Sequence, residues 1–257
     1  MLKARVIPTL LLKDHGLVKG VGFDSWRRVG TLPPAVRVYN TRDVDELIVL
    51  DIAATPASRT PSFEEVEDVA PGCRVPLTVG GGIRTIDDVA AALRAGADKI
   101  SVNTIAFSDM SVVTETAARF GSQCVVASID ARWDPTAERH VCYSHSGQRR
   151  EDVAARDWAQ RLEAAGAGEI LVCSIERDGT MEGYDLRLIE GVAEGVGVPV
   201  IAAGGCGTYE HMLEAIRDAG ASAVSAASIF HFTEQTPLEA KKFLGQHGVP
   251  VRAPSRL

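Results

Sequence analysis

Asp130 closes the apolar run VVASID. A carboxylate at the end of such a run looks into partly dry surroundings, which push its pKa toward working pH and suit it to proton transfer, unless it is a solvated strand-end residue or a cap. Asp51, ending LIVLD, and Asp178, inside SIERDG, are placed to orient ligand hydroxyls or to hold loops. Two glycine clusters stand beside these carboxylates, Gly80–Gly82 and Gly204-Gly205, each directly after an apolar run. One unit later comes a small or polar pair, Asn103-Thr104 in the first case and Ala227-Ser228 in the second. Glycine lets backbone N–H groups close around an anion, and a following helix start favours negative charge. The doubled arrangement predicts two phosphate sites and an elongated ligand carrying a phosphate at each end. Tight turns are the plainer reading of the same glycines.

Four charged residues open apolar runs at the other end of the pattern: Arg5, Glu46, Lys99 and Glu169. Two cations and two anions at matching places can form a ring, and salt-bridge closure is the ordinary role of such a ring. The six histidines show no metal-ligand spacing, and the five cysteines form no C-x-x-C pair, as expected of buried thiols. Walker, zinc and Ser/His/Asp motifs are missing, so neither a metal nor a nucleotide cofactor is implied.

The elements that must position these residues alternate along the chain. Strands are expected at Val6–Leu12, Glu46–Asp51, Leu77–Val79, Lys99–Val102, Cys124–Asp130, Glu169–Ser174, Val200–Ala203 and Ala223–Ala226. Their near-continuous Val/Ile/Leu content suits strands of a parallel sheet buried on both faces. Amphipathic stretches such as Thr85–Ala95, Ser111–Phe120, Arg156–Ala165 and Tyr209–Ala219 lie between them, several followed by glycine as a helix stop. Eight such units predict the α/β class and a single (β/α)8 barrel over residues 1–257, with ligand groups at the carboxyl ends of the strands. An internal repeat divides it into half-barrels of about 1–120 and 121–257: VDELIVLDI matches AGEILVCSI, VPLTVGGG matches VPVIAAGG, and AGADKISVNT matches AGASAVSAAS. The first-strand counterpart of Asp130 is Leu11, so one half offers a carboxylate where the other offers none. The polar segment Arg132–Asp152 reads as an inserted loop or hairpin.

Composition bounds the function classes. The 27 Lys and Arg against 34 Asp and Glu give a net charge of −7, which argues against nucleic-acid and anionic-membrane partners while allowing a local basic site. The amino terminus has no signal-peptide or membrane-span pattern, and a cytoplasmic location is expected.

These motifs carry a family resemblance running nearly end to end. VDELIVLDI, TVGGGI, AGADKISVNT, FGSQ, SIERDGT-x-x-GYD, AGG and AASIFHF resemble the cyclase subunit of imidazole glycerol phosphate synthase. The resemblance implies a partner glutaminase docked at the amino-terminal face and ammonia passing through the barrel to a bisphosphorylated substrate. It implies that Gly82, Asn103 and Thr104 hold one phosphate, and Gly179, Gly205, Ala227 and Ser228 the other. It gives Lys19 the role of a lysine in a mobile first loop, makes Arg5, Glu46, Lys99 and Glu169 the ammonia gate, and makes Asp98 a docking residue. The family's two catalytic aspartates become Asp130 and Leu11. That departure resembles paralogues of bacterial surface-polysaccharide clusters, which pass ammonia to a sugar amidotransferase. Three readings follow: such a divergent synthase subunit, a histidine-pathway cyclase in which Asp14 or Asp51 substitutes, and a non-catalytic tunnel scaffold.

Overall fold

The computed structural model describes residues 3–253. Twelve strands appear in chain order: β1 Arg5–Lys13, β2 Gly16–Val21, β3 Asp24–Gly30, β4 Leu47–Asp51, β5 Leu77–Gly80, β6 Lys99–Val102, β7 Val125–Asp134, β8 Arg139–Ser144, β9 Arg149–Ala154, β10 Glu169–Ser174, β11 Val200–Ala203 and β12 Ala223–Ala226. Parallel pairing runs β1-β4-β5-β6-β7-β10-β11-β12 and returns to β1, closing an eight-stranded barrel. The helices are α1 Leu32–Thr41, α2 Phe63–Val69, α3 Ile86–Arg94, α4 Ser111–Phe120, α5 Ala155–Ala164, α6 Leu186–Ala193, α7 Tyr209–Arg217, α8 Ser228–Phe232 and α9 Pro237–Gln246. The molecule is therefore a (β/α)8 barrel. Among the described residues no helix is long and apolar enough to cross a membrane.

Strand alternation divides the apolar residues between two cores. Val6, Leu10, Leu47, Val49, Leu77, Val79, Ile100 and Val102 face outward and pack beneath the helices. Ile7, Ile48, Val126, Leu171, Ile201 and Ala223 face inward and fill the barrel. Burial on both faces is why these strands read as unbroken apolar runs. Helix boundaries follow local chemistry. Thr85 accepts from the Asp88 N–H at 3.1 Å while Asp88 accepts from the Thr85 N–H at 2.9 Å, a reciprocal cap that starts α3. Gly96 stops the same helix at φ +104°, where a Cβ would stand 2.4 Å from that of Ala70.

Two antiparallel excursions leave the barrel at its carboxyl-end mouth. β1 turns back through β2 and β3, and β7 turns back through β8 and β9. The expected insertion at Arg132–Asp152 is thus a hairpin, with β7 continuing four residues beyond Asp130. The first loop differs from expectation. It is also a hairpin, and Lys19 lies in β2 with only 3% exposure rather than in an open loop.

Candidate functional site

At the amino-terminal end of the barrel, four charges close a cycle. Arg5 Nη1 donates to Glu46 Oε1 at 2.7 Å and to Glu169 Oε2 at 2.9 Å; Lys99 Nζ donates to Glu46 Oε2 at 2.8 Å and to Glu169 Oε1 at 2.6 Å. All four side chains are at least 86% buried. Burial works against the Glu46 carboxylate, but Arg5 and Lys99 outweigh it and hold the group below its usual range. The four residues come from the starts of the first, second, fourth and sixth barrel strands, as their spacing predicts. Asp98, next to Lys99, is exposed on this face and accepts from the Leu77 N–H at 2.8 Å.

At the other end lies a cavity of about 440 Å³, lined among others by Leu11, Lys19, Asp130, Asp178, Thr104 and Gly205. Asp130 occupies the last inward position of its strand before the hairpin. Burial pushes its carboxyl up to about 7, with the charge of Asp178 adding to the effect and a 2.8 Å hydrogen bond from Asn103 Nδ2 opposing it. A carboxyl tuned to that range exchanges protons near neutrality. Burial also raises Asp178, against the pull of Lys19, and lowers Lys19, against the pull of Asp178. Leu11 faces the same cavity as a half-strand counterpart with no proton to give.

The glycine positions are stereochemically required. Gly82 has φ +78° and Gly205 φ +106°, and added Cβ atoms would meet Arg59 O at 2.2 Å and Gly183 O at 2.1 Å. The Gly82 N–H is partly taken up by Thr55 Oγ1 at 3.2 Å. Gly81, Gly82, Asn103 and Thr104 line one side of the cavity, while Gly179, Gly204, Gly205, Ala227 and Ser228 line another. The repeat is visible in the backbone: Asn103 (φ −134°, ψ −83°) and Ala227 (φ −138°, ψ −63°) each introduce a short helical turn.

Of the two roles expected for Asp51, its contacts are those of a loop-holding group. Its carboxylate accepts from Nη1 and Nη2 of Arg59, the latter at 3.1 Å, and from the Ala53 N–H at 3.1 Å, so it holds the following loop. Asp14 sits exposed in the turn between β1 and β2 at φ +49° and does not line the cavity, whereas Asp51 is buried and lines it while paired with Arg59.

Sequence reasoning missed three cavity residues. Arg59 enters through its pairing with Asp51, a contact made by loop geometry. Cys173, opposite Asp130 in the β7–β10 register, faces inward, and burial holds its thiol well above the ordinary range, hence neutral. His145 reaches the rim only through the β8–β9 turn; metal spacing was the wrong signal for it, and a hydroxyl neighbour and a carboxylate six residues on were the available one. Among the described residues no group of three or more His, Cys, Asp or Glu could hold a metal ion.

Comparison with known families gives a match over residues 5–236 to the one described as "Histidine biosynthesis protein". The matched span contains the charged ring, both glycine clusters and Asp130.

Proposed function

Because the chain belongs to the histidine biosynthesis protein family, a family of (β/α)8 synthase-type enzymes, we propose that it is the synthase subunit of a glutamine-dependent pair. A partner glutaminase docks at the Arg5/Glu46/Lys99/Glu169 face and Asp98, and ammonia crosses the barrel to a phosphorylated ligand beside Asp130 and Lys19. One observation carries the reading: the ring and Asp130 stand at opposite ends of one barrel interior, with the Ile7, Ile48, Val126, Leu171, Ile201 and Ala223 layer between them. Neutral ammonia enters such a layer without the several kcal/mol that stripping water from a buried ion costs. The ring sums to zero charge, so it fixes neither sign at the entrance.

In the mouth, Gly82, Asn103 and Thr104 hold one phosphate of the ligand, and Gly179, Gly204, Gly205, Ala227 and Ser228 hold the other. Asp130 moves the proton and Lys19 faces the negative charge that develops. Leu11 supports the divergent form of this function, in which ammonia goes to a sugar acceptor of surface-polysaccharide synthesis through a sugar amidotransferase rather than into an imidazole ring. Losing one member of an acid–base pair costs roughly 10²–10⁴ in rate. The test is turnover of the imidazole-forming bisphosphate substrate with ammonium chloride. No imidazole product is expected, together with faster glutamine hydrolysis when the chain is added to its glutaminase. Normal imidazole formation overturns the divergent form and supports the histidine-pathway cyclase, which the two retained anion cradles favour.

A further inference from the structure

The rim of the cavity carries a hydrogen-bonded chain that the function above leaves unused. Ser144, fully buried at the end of β8, donates its hydroxyl proton to Glu151 Oε1 at 2.6 Å. Its oxygen also lies 2.7 Å from His145 Nδ1. A serine has one proton to give, and a carboxylate only accepts, so the second contact must run from the imidazole: Nδ1–H donates to Ser144 Oγ. In the neutral ring this tautomer leaves Nε2 as the acceptor, and Nε2 is the nitrogen not taken up by the hairpin. Arg149 Nε, 3.2 Å from the same Glu151 oxygen, completes the anchor. A base oriented by a hydroxyl and backed by a carboxylate is the arrangement that proton transfer needs.

Its position points the same way. Tyr143 pairs with Asp130 across β7 and β8, so His145 lies two residues, roughly 7 Å, farther along the same hairpin. The dipeptide Asn103-Thr104 touches both groups: Asn103 donates to Asp130 at 2.8 Å, and Thr104 Oγ1 accepts from the His145 N–H at 3.0 Å. Thr104 keeps its own hydroxyl proton for the cavity. His145, Thr104 and Asp130 all line the one 440 Å³ space.

We propose that His145, presented by Ser144 and Glu151, is a second proton-transfer group of this cavity, acting on the ligand end held at Thr104. This rests on the reading that a phosphorylated ligand occupies the mouth. The step is a simple exchange: a ligand O–H gives its proton to Nε2, the ring becomes imidazolium with Nδ1–H still on Ser144, and Glu151 balances the new charge through the hydroxyl.

The test uses the full chain with ¹⁵N-labelled histidine and glycerol 3-phosphate as the probe, the His145 signals being identified by their loss in His145→Gln. The free protein is expected to show the Nδ1-protonated tautomer, and Ser144→Ala to convert it to the Nε2-protonated form. Glycerol 3-phosphate is expected to move the Nε2 signal toward its protonated value in the wild type and much less in Glu151→Gln, which keeps the serine's acceptor but removes the charge. His145→Gln is expected to weaken the probe about tenfold, the low end of a charge-assisted hydrogen bond. If the Thr104 amide responds to the probe while the His145 ring does not, or if the free ring is Nε2-protonated, His145 merely braces the turn and the proposal falls with the phosphate reading intact. If the Thr104 amide does not respond at all, both fall.

Discussion

Leu11 and Asp130 face one cavity from corresponding places on two barrel strands. Each is an inward residue at which its strand pairs with an antiparallel return strand, Leu11 with Val18 and Asp130 with Tyr143. The backbone has kept its symmetry while the chemistry has not. Leu11→Asp is therefore expected to place a second carboxylate across from Asp130. In the ammonium-dependent assay with the imidazole-forming substrate, the variant should gain roughly 10²–10⁴ in kcat. An unchanged rate would show that the divergence involves more than this residue.

Asp130 also has a stability signature. Its carboxyl is raised to about 7, so between the unfolded value near 3.8 and that pH the folded state holds a proton that the unfolded chain has lost. The folded state is thus penalised progressively as pH rises through this window, and fully above it. Asp130→Asn should stabilise the protein at pH 8 by about 2–4 kcal/mol, with the gain fading toward pH 4. Urea denaturation at the two pH values checks this, and a gain that grows toward acid pH would reverse the assignment.

The ring gives a paired prediction. Glu46→Gln leaves Arg5 and Lys99 facing one buried carboxylate, at an expected cost of about 3–5 kcal/mol. Adding Lys99→Met restores neutrality and should recover much of that loss. A double-mutant cycle by chemical denaturation measures the coupling, and additive losses would mean that solvent already screens the ring.

Gly179 ties the first hairpin to the sixth barrel loop. Its φ is +76°, and a Cβ there would lie 2.0 Å from Gly20 O. Gly179→Ala should push the hairpin away from Asp178, which now accepts the Gly22 N–H on its carbonyl at 2.9 Å. Hydrogen exchange at Gly22 is expected to quicken at least tenfold, matching a loss of about 1.4 kcal/mol or more.

The barrel was legible because its strands are buried twice over. Lys99–Val102, Glu169–Ser174, Val200–Ala203 and Ala223–Ala226 fall where the apolar runs place them, and Ser111–Phe120 is the helix its period predicts. The hairpins were harder to read. β3 is exposed on most of its length and β9 on half, so SWRRV and RREDV carry polar residues where a barrel strand would carry Val or Ile. The burial of Lys19 was hidden for the same reason, since it comes from the hairpin folding onto the mouth. The ring and glycine clusters were visible through the repeat. Arg59 and His145 were not: Arg59 is placed by an irregular loop that curls back on Asp51 eight residues earlier, and His145 by its backbone meeting Thr104, 41 residues away.

The inward apolar layer has a consequence for how the two ends of the molecule communicate. Six buried hydrocarbon side chains separate the ring from Asp130 and lower the dielectric of the space between them. Low dielectric screens charge less than water does, so a charge set down at the mouth is felt at the ring through this layer as well as through the strands. Each ring residue stands at or just before the start of a strand that leads into the cavity, Arg5 toward Leu11, Glu46 toward Asp51, Lys99 toward Asn103 and Glu169 toward Cys173. Those four strands give the two ends a second connection, through backbone rather than through the interior.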